Sequence, residues 1–160
     1  MGLSRNGYGD NVDPVTTPGQ PGQPGQPERT SRPGQLHHVE LWVADLAATR
    51  QSLGWLLGEL GWTVFQDWPA GVSWRLGATY LVAEQSPALR PGPHDRCRPG
   101  LNHLAFHVAG RAEVDRLVAA APGHGWDLMF ADRHPHAGGP EHYAGYLEDG
   151  QGFEVELVAG

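Results

Sequence analysis

Cysteine is almost absent from this 160-residue chain. The single one, Cys97 in the charged stretch DRCRPG, has no partner within the chain, which excludes an intrachain disulfide framework and fits a reduced compartment. Long apolar runs are missing as well. No stretch approaches the ~20 apolar residues that a bilayer-spanning helix needs, and the N-terminus lacks the basic-then-apolar order of a secretory signal. A cytoplasmic protein is expected. Clusters of Lys and Arg are also lacking, and the formal charge of -7 disfavours nucleic acid or an anionic membrane as partner. A small-molecule substrate is the partner these absences leave.

Apolar residues are scarce at the start of the chain too. Residues 1–35 read MGLSRNGYGDNVDPVTTPGQPGQPGQPERTSRPGQ, where Pro, Gly, Gln and Ser dominate and little is available to offset the entropy of ordering. This segment is expected to be a disordered tail, its PGQ triplets too few for a triple helix. Residues 36–160 then form one domain of ordinary size.

Within that domain the chain repeats itself. LHHVELWVA (Leu36 to Ala44) lies over LNHLAFHVA (Leu101 to Ala109), with Leu, His, Val and Ala at matching places. Each segment leads into apolar residues near the 3.6 period: Leu46, Leu53, Leu57 and Leu60 in the first half, Val114, Leu117, Val118 and Ala121 in the second. Asp45 is placed to cap the first helix. Gly61-Trp62 and Gly125-Trp126 follow the helices, where glycine suits the left-handed residue that ends one. WTVFQDW, GVSWRLG and ATYLVAE, then WDLMFAD, HYAGYLED and FEVELVA, read as strands. The expected fold is α+β: two tandem βαβββ modules, about 36–86 and 100–160, forming a curved mixed sheet. The Pro- and Gly-rich linker SPALRPGPHDRCRPG joins them.

Strand side chains alternate, so Val39, Leu41 and Val43 share one face while His38, Glu40 and Trp42 share the other. The same split sets Leu104, Phe106 and Val108 against His103, Ala105 and His107. In FEVELVA, Val155 and Leu157 take the helix side, leaving Glu154 and Glu156 with the histidines. Two repeat-related imidazoles and a carboxylate on one surface make the 2-His-1-carboxylate composition of open metal sites.

HHVELWVADL, LNHLAFHV and YLEDGQGFEVEL together resemble the vicinal-oxygen-chelate superfamily, which includes glyoxalases, extradiol dioxygenases, fosfomycin-resistance thiol transferases and bleomycin-binding proteins. The resemblance covers residues 36–160 and implies one divalent metal ion (Fe2+, Mn2+, Zn2+ or Ni2+) held by His38, His103 and Glu156. The family's fourth ligand place aligns with Leu81, which cannot bind a metal. That favours the three-ligand members over the four-ligand isomerases. Tyr146, ten residues before Glu156, resembles the substrate-holding tyrosine of extradiol dioxygenases. His134, His136 and His142 precede it, and His142 is favoured as an acid or base because it shares a strand face with Tyr146. Members of this family build their sites within one chain or across a homodimer. Two functions follow from the resemblance: a metalloenzyme of the glyoxalase/dioxygenase type, or an antibiotic-binding protein of the bleomycin-resistance type without catalysis.

Overall fold

The computed structural model describes residues 32–160. Up to position 31, the tail expected to be disordered lies outside the described residues. The chain runs β1 (His38–Trp42), α1 (Leu46–Glu59), β2 (Thr63–Trp68), β3 (Gly71–Leu76) and β4 (Thr79–Glu84). It continues as β5 (His103–Val108), α2 (Arg111–Ala120), a short 3-10 turn (Ala121–His124), β6 (Trp126–Leu128), β7 (Ala144–Asp149) and β8 (Glu154–Ala159). This is β, α, β, β, β twice. Each module folds into its own four-stranded mixed sheet, in the orders β1-β4-β3-β2 and β5-β8-β7-β6. The first and last strands of each module pair in parallel, and the other pairs are antiparallel.

Local chemistry accounts for the element ends. Asp45 is extended (φ -132°) and its side chain accepts from the Ala48 amide at 3.0 Å, which starts α1. Gly61 at φ 80° ends that helix, and the Trp62 amide returns to the Leu57 carbonyl at 2.8 Å. Gly125 plays the same part at φ 81°, after the 3-10 turn.

Two expectations change. The strand read in WDLMFAD stops at Leu128, because Phe130 takes a left-handed φ of 51° and its carbonyl accepts from both Arg133 and His134. The second change is one of register. His38 lies opposite Tyr80 and His103 opposite Glu154, so Glu156 corresponds to Val82 rather than to Leu81. Leu81, 3% exposed, belongs to the core. The fourth place is apolar either way.

The helix-facing residues of both sheets share one core. Leu41, Val43, Leu53 and Leu57 of the first module meet Val114, Leu117, Trp126 and Val155 of the second. A polar clamp spans the same seam: the Gln151 carboxamide accepts from the Asp45 amide at 2.7 Å and donates to the Thr49 hydroxyl at 2.8 Å. Among the described residues, no helix is long and apolar enough to cross a membrane.

Asp149 sits beside that clamp, 7% exposed, accepting from the Gln151 and Phe153 amides. Burial raises its carboxyl above the usual range, and the backbone donors offset this only in part. A carboxyl raised on folding favours the folded state while protonated, and that contribution is lost as pH rises through the folded value. Asp149→Asn, permanently neutral, should therefore gain stability relative to the parent between about pH 4 and pH 7. Urea melts at both pH values check this. A difference that does not change with pH would exclude ionisation of Asp149 as its cause.

Candidate functional site

The second module gathers three of the expected residues around a fourth, the carboxylate of Glu156. Glu156, 7% exposed, lies on β8 directly across from Tyr146 on β7 and from Ala105 on β5. The Tyr146 hydroxyl donates to Glu156 Oε1 at 2.6 Å, and His142 Nε2 reaches the same oxygen at 2.5 Å. His103 Nε2 stands 3.2 Å from the other oxygen, Oε2. His142 arrives from the loop before β7 rather than from the strand itself. His136 is turned elsewhere, its Nδ1 on the His142 carbonyl at 3.2 Å. The loop can lie this close only because position 138 is glycine: a Cβ there would fall 2.5 Å from His142 Cδ2 and 2.7 Å from the Tyr146 hydroxyl.

Electrostatics follow from that packing. Burial alone would raise the Glu156 carboxyl, but hydrogen bonds from Tyr146 and His142, with the neighbouring imidazoles, hold it below the ordinary range. Desolvation and the bond to Glu156 push the Tyr146 hydroxyl up to about 12, so it keeps its proton at neutral pH. Glu154 is 4% exposed and raised chiefly by burial, with Arg96 at 3.0 Å opposing the shift.

The donor set suits a divalent cation. His103 Nδ1 lies 2.7 Å from Asn102 Oδ1, an acceptor, so Nδ1 carries a proton. Nε2 then faces Glu156 Oε2 at 3.2 Å, a separation that a proton or a cation between them bridges. An outer oxygen fixing the ring in this way is also the usual support for a metal-binding imidazole.

His38 stands apart from this group within one chain. It lies on the first sheet, exposed, stacked on Tyr80 at 4.9 Å, with Nδ1 2.8 Å from His37 Nδ1. Among the described residues, no three His, Cys, Asp or Glu side chains converge as a metal site inside a single chain. The expected meeting of His38 with His103 and Glu156 is therefore not made by one copy. Strand alternation fixes which residues share a face, but not which faces of the two sheets meet.

Several residues of the site escaped the sequence reading. Asn102 and His37 occupy equivalent places in the repeat, each holding Nδ1 of the histidine that follows it. Their positions immediately before paired histidines were the available signal. Phe130, whose ring meets Tyr146 edge to face at 5.6 Å, gave none, since its left-handed backbone runs against propensity.

A duplicated βαβββ chain with an imidazole-carboxylate centre on the second sheet defines a class of small two-module α+β folds. The chain belongs to the Glyoxalase/Bleomycin resistance protein/Dioxygenase superfamily, whose sequence profile matches residues 37–146. It is 47% identical to the Bacillus subtilis protein YqjT over 126 residues, covering 78% of this chain and 98% of that one. A Bacillus halodurans crystal structure, proposed to be of a glyoxalase, shares 45% identity at a TM-score of 0.76, with 79% of this chain and 96% of the other covered. At the level of fold alone, the chain is similar to a lactoylglutathione lyase from Agrobacterium tumefaciens, 21% identical at a TM-score of 0.55, covering 81% and 96% of the two chains.

Proposed function

We propose that this chain is a divalent-metal-dependent enzyme of the glyoxalase/dioxygenase type that acts on a small substrate with adjacent oxygens. The observation that carries the reading is the pair His103 Nε2 and Glu156 Oε2, facing each other at 3.2 Å with His103 Nδ1 held by Asn102 Oδ1. His38 of a second copy completes the set, making the working unit a homodimer. One feature supports that assembly. All the large apolar side chains exposed among the described residues, Leu36, Trp42, Val64, Phe65 and Leu76, lie in the first module.

A bound Fe2+, Mn2+, Zn2+ or Ni2+ ion would supply Lewis acidity toward adjacent substrate oxygens, and Fe2+ would add oxygen chemistry. The chain's own groups do the rest. Glu156 stays ionised, Tyr146 holds its proton on Oη and donates it as a hydrogen bond, and His142 presents Nε2 for proton transfer. The lone Cys97 is free and exposed, as suits a cytoplasmic setting.

Elemental analysis of protein isolated without chelator should find close to one divalent ion per chain. Anaerobic Fe(II) loading followed by oxygen uptake with a catechol panel then separates ring cleavage from redox-inert chemistry. Metal-free protein that binds an aromatic drug regardless of added metal would instead make this a sequestering protein. Tyr146→Phe should keep the metal and lower turnover by about 10²-fold or more, the usual worth of a positioned proton donor. Unchanged turnover would remove Tyr146 from the chemistry.

A further inference from the structure

Arg75 occupies β3 on the face opposite the core. The pairing registers put His38, Tyr80 and Arg75 in one cross-strand row over β1, β4 and β3. Phe65 of β2 reaches the same row: the Arg75 guanidinium carbon lies 3.2 Å from its ring centroid and 5.8 Å from that of Tyr80. Tyr80 in turn stacks on His38, 4.9 Å between centroids and 7° from parallel.

What this arginine lacks is an anion. Arg50, Arg96 and Arg116 each lie within 3.0 Å of a carboxylate oxygen. Among the described residues no carboxylate comes within 4.0 Å of Arg75. Glu40, on the same face, is engaged by the Trp42 indole N–H at 2.8 Å. Arg75 is half-buried, and its Nε is shielded from solvent with no hydrogen-bond partner. Ser73, two residues earlier on the same face, is fully buried and its hydroxyl is equally unpartnered. Two unsatisfied polar groups side by side on one strand mark a place where protein alone does not complete the hydrogen bonding.

We propose that Arg75, with Phe65 and Tyr80 beneath it, is an anion-binding subsite for a planar carboxylate, and so that the substrate is an aromatic or unsaturated acid. The face of the guanidinium rests on a ring, and its two terminal Nη groups, which unlike Nε are not shielded, can meet a carboxylate end-on through two parallel bonds. Phe65 and Trp42, 40% and 45% exposed, offer ring surface to a flat substrate frame. The inference names the substrate class of the enzyme proposed above. It rests on that reading only for the link to turnover, because the subsite itself needs no metal.

The test uses chelator-treated, full-length 15N-labelled protein titrated with sodium benzoate and, separately, with benzamide, neither of which presents adjacent oxygens to a metal. The Arg75 Nε–H resonance, assigned by its absence in Arg75→Lys, is followed by NMR. Benzoate should shift it saturably and bind at least about tenfold more tightly than benzamide, the worth of one charge-assisted contact. Arg75→Gln should bring the two probes within about twofold of each other, with its melting temperature showing that it folds. No benzoate-dependent shift at Nε, or unchanged benzoate binding by Arg75→Gln, overturns the proposal. A benzoate site on protein that never takes up metal would sink the metalloenzyme reading and leave the subsite standing.

Discussion

Two metal-free variants of this chain, produced together, should recover metal. His38→Ala and Glu156→Ala should each purify alone with almost none, whereas co-expression should return roughly a quarter of an ion per chain, as random pairing of two subunits requires. The arithmetic follows from where the ligands lie. Half of the dimers combine one chain of each kind, and in those one centre joins an intact His38 to an intact His103 and Glu156 while the other lacks both variant residues. The structure motivates this because the His38 ring lies against His37 and Tyr80, on a different sheet from the Glu156 cluster. A site formed within one chain cannot be rescued by mixing. Metal content no higher than in the separate variants would contradict the shared centre.

Replacing one of two glutamates two residues apart should abolish metal binding, and replacing the other should spare it. Glu154 and Glu156 occupy the same face of β8, and both are almost fully buried. Glu156 alone faces His103 Nε2, and its hydrogen bonds keep it ionised. Glu154 is occupied by Arg96. Glu156→Gln preserves shape and removes the charge, and binding should fall below detection in a calorimetric titration with Mn(II). Glu154→Gln should weaken it by no more than about tenfold, the lower end of what an outer-sphere partner contributes. Equal losses would mean that the two carboxylates share the ion.

Much of the fold was legible because its signals are local. The matching of LHHVELWVA with LNHLAFHVA placed the modules, Asp45 marked the start of α1, and Gly61 and Gly125 marked helix exits with the positive φ those positions require. Strand alternation placed Val155 and Leu157 in the core and Glu156 on the other face. Register was harder. Placing Leu81 at the fourth ligand position assumed equal turn geometry before β4 and β8, and the one-residue error put core Leu81 where Val82 belongs. The relation between the two sheets was not legible at all, since a period of two carries no information about which surfaces approach each other. Arg75 was hidden for a different reason. An arginine on a strand ordinarily marks a solvated face, and its isolation from the carboxylates of the described residues appears only in three dimensions.

Crystals of the cobalt(II)-loaded protein, with anomalous data collected at the cobalt edge, place the ion directly. One peak per chain, bounded by His103 and Glu156 of one copy and His38 of another, is the predicted result. A peak ligated wholly within one chain, or no peak near Glu156, would contradict it.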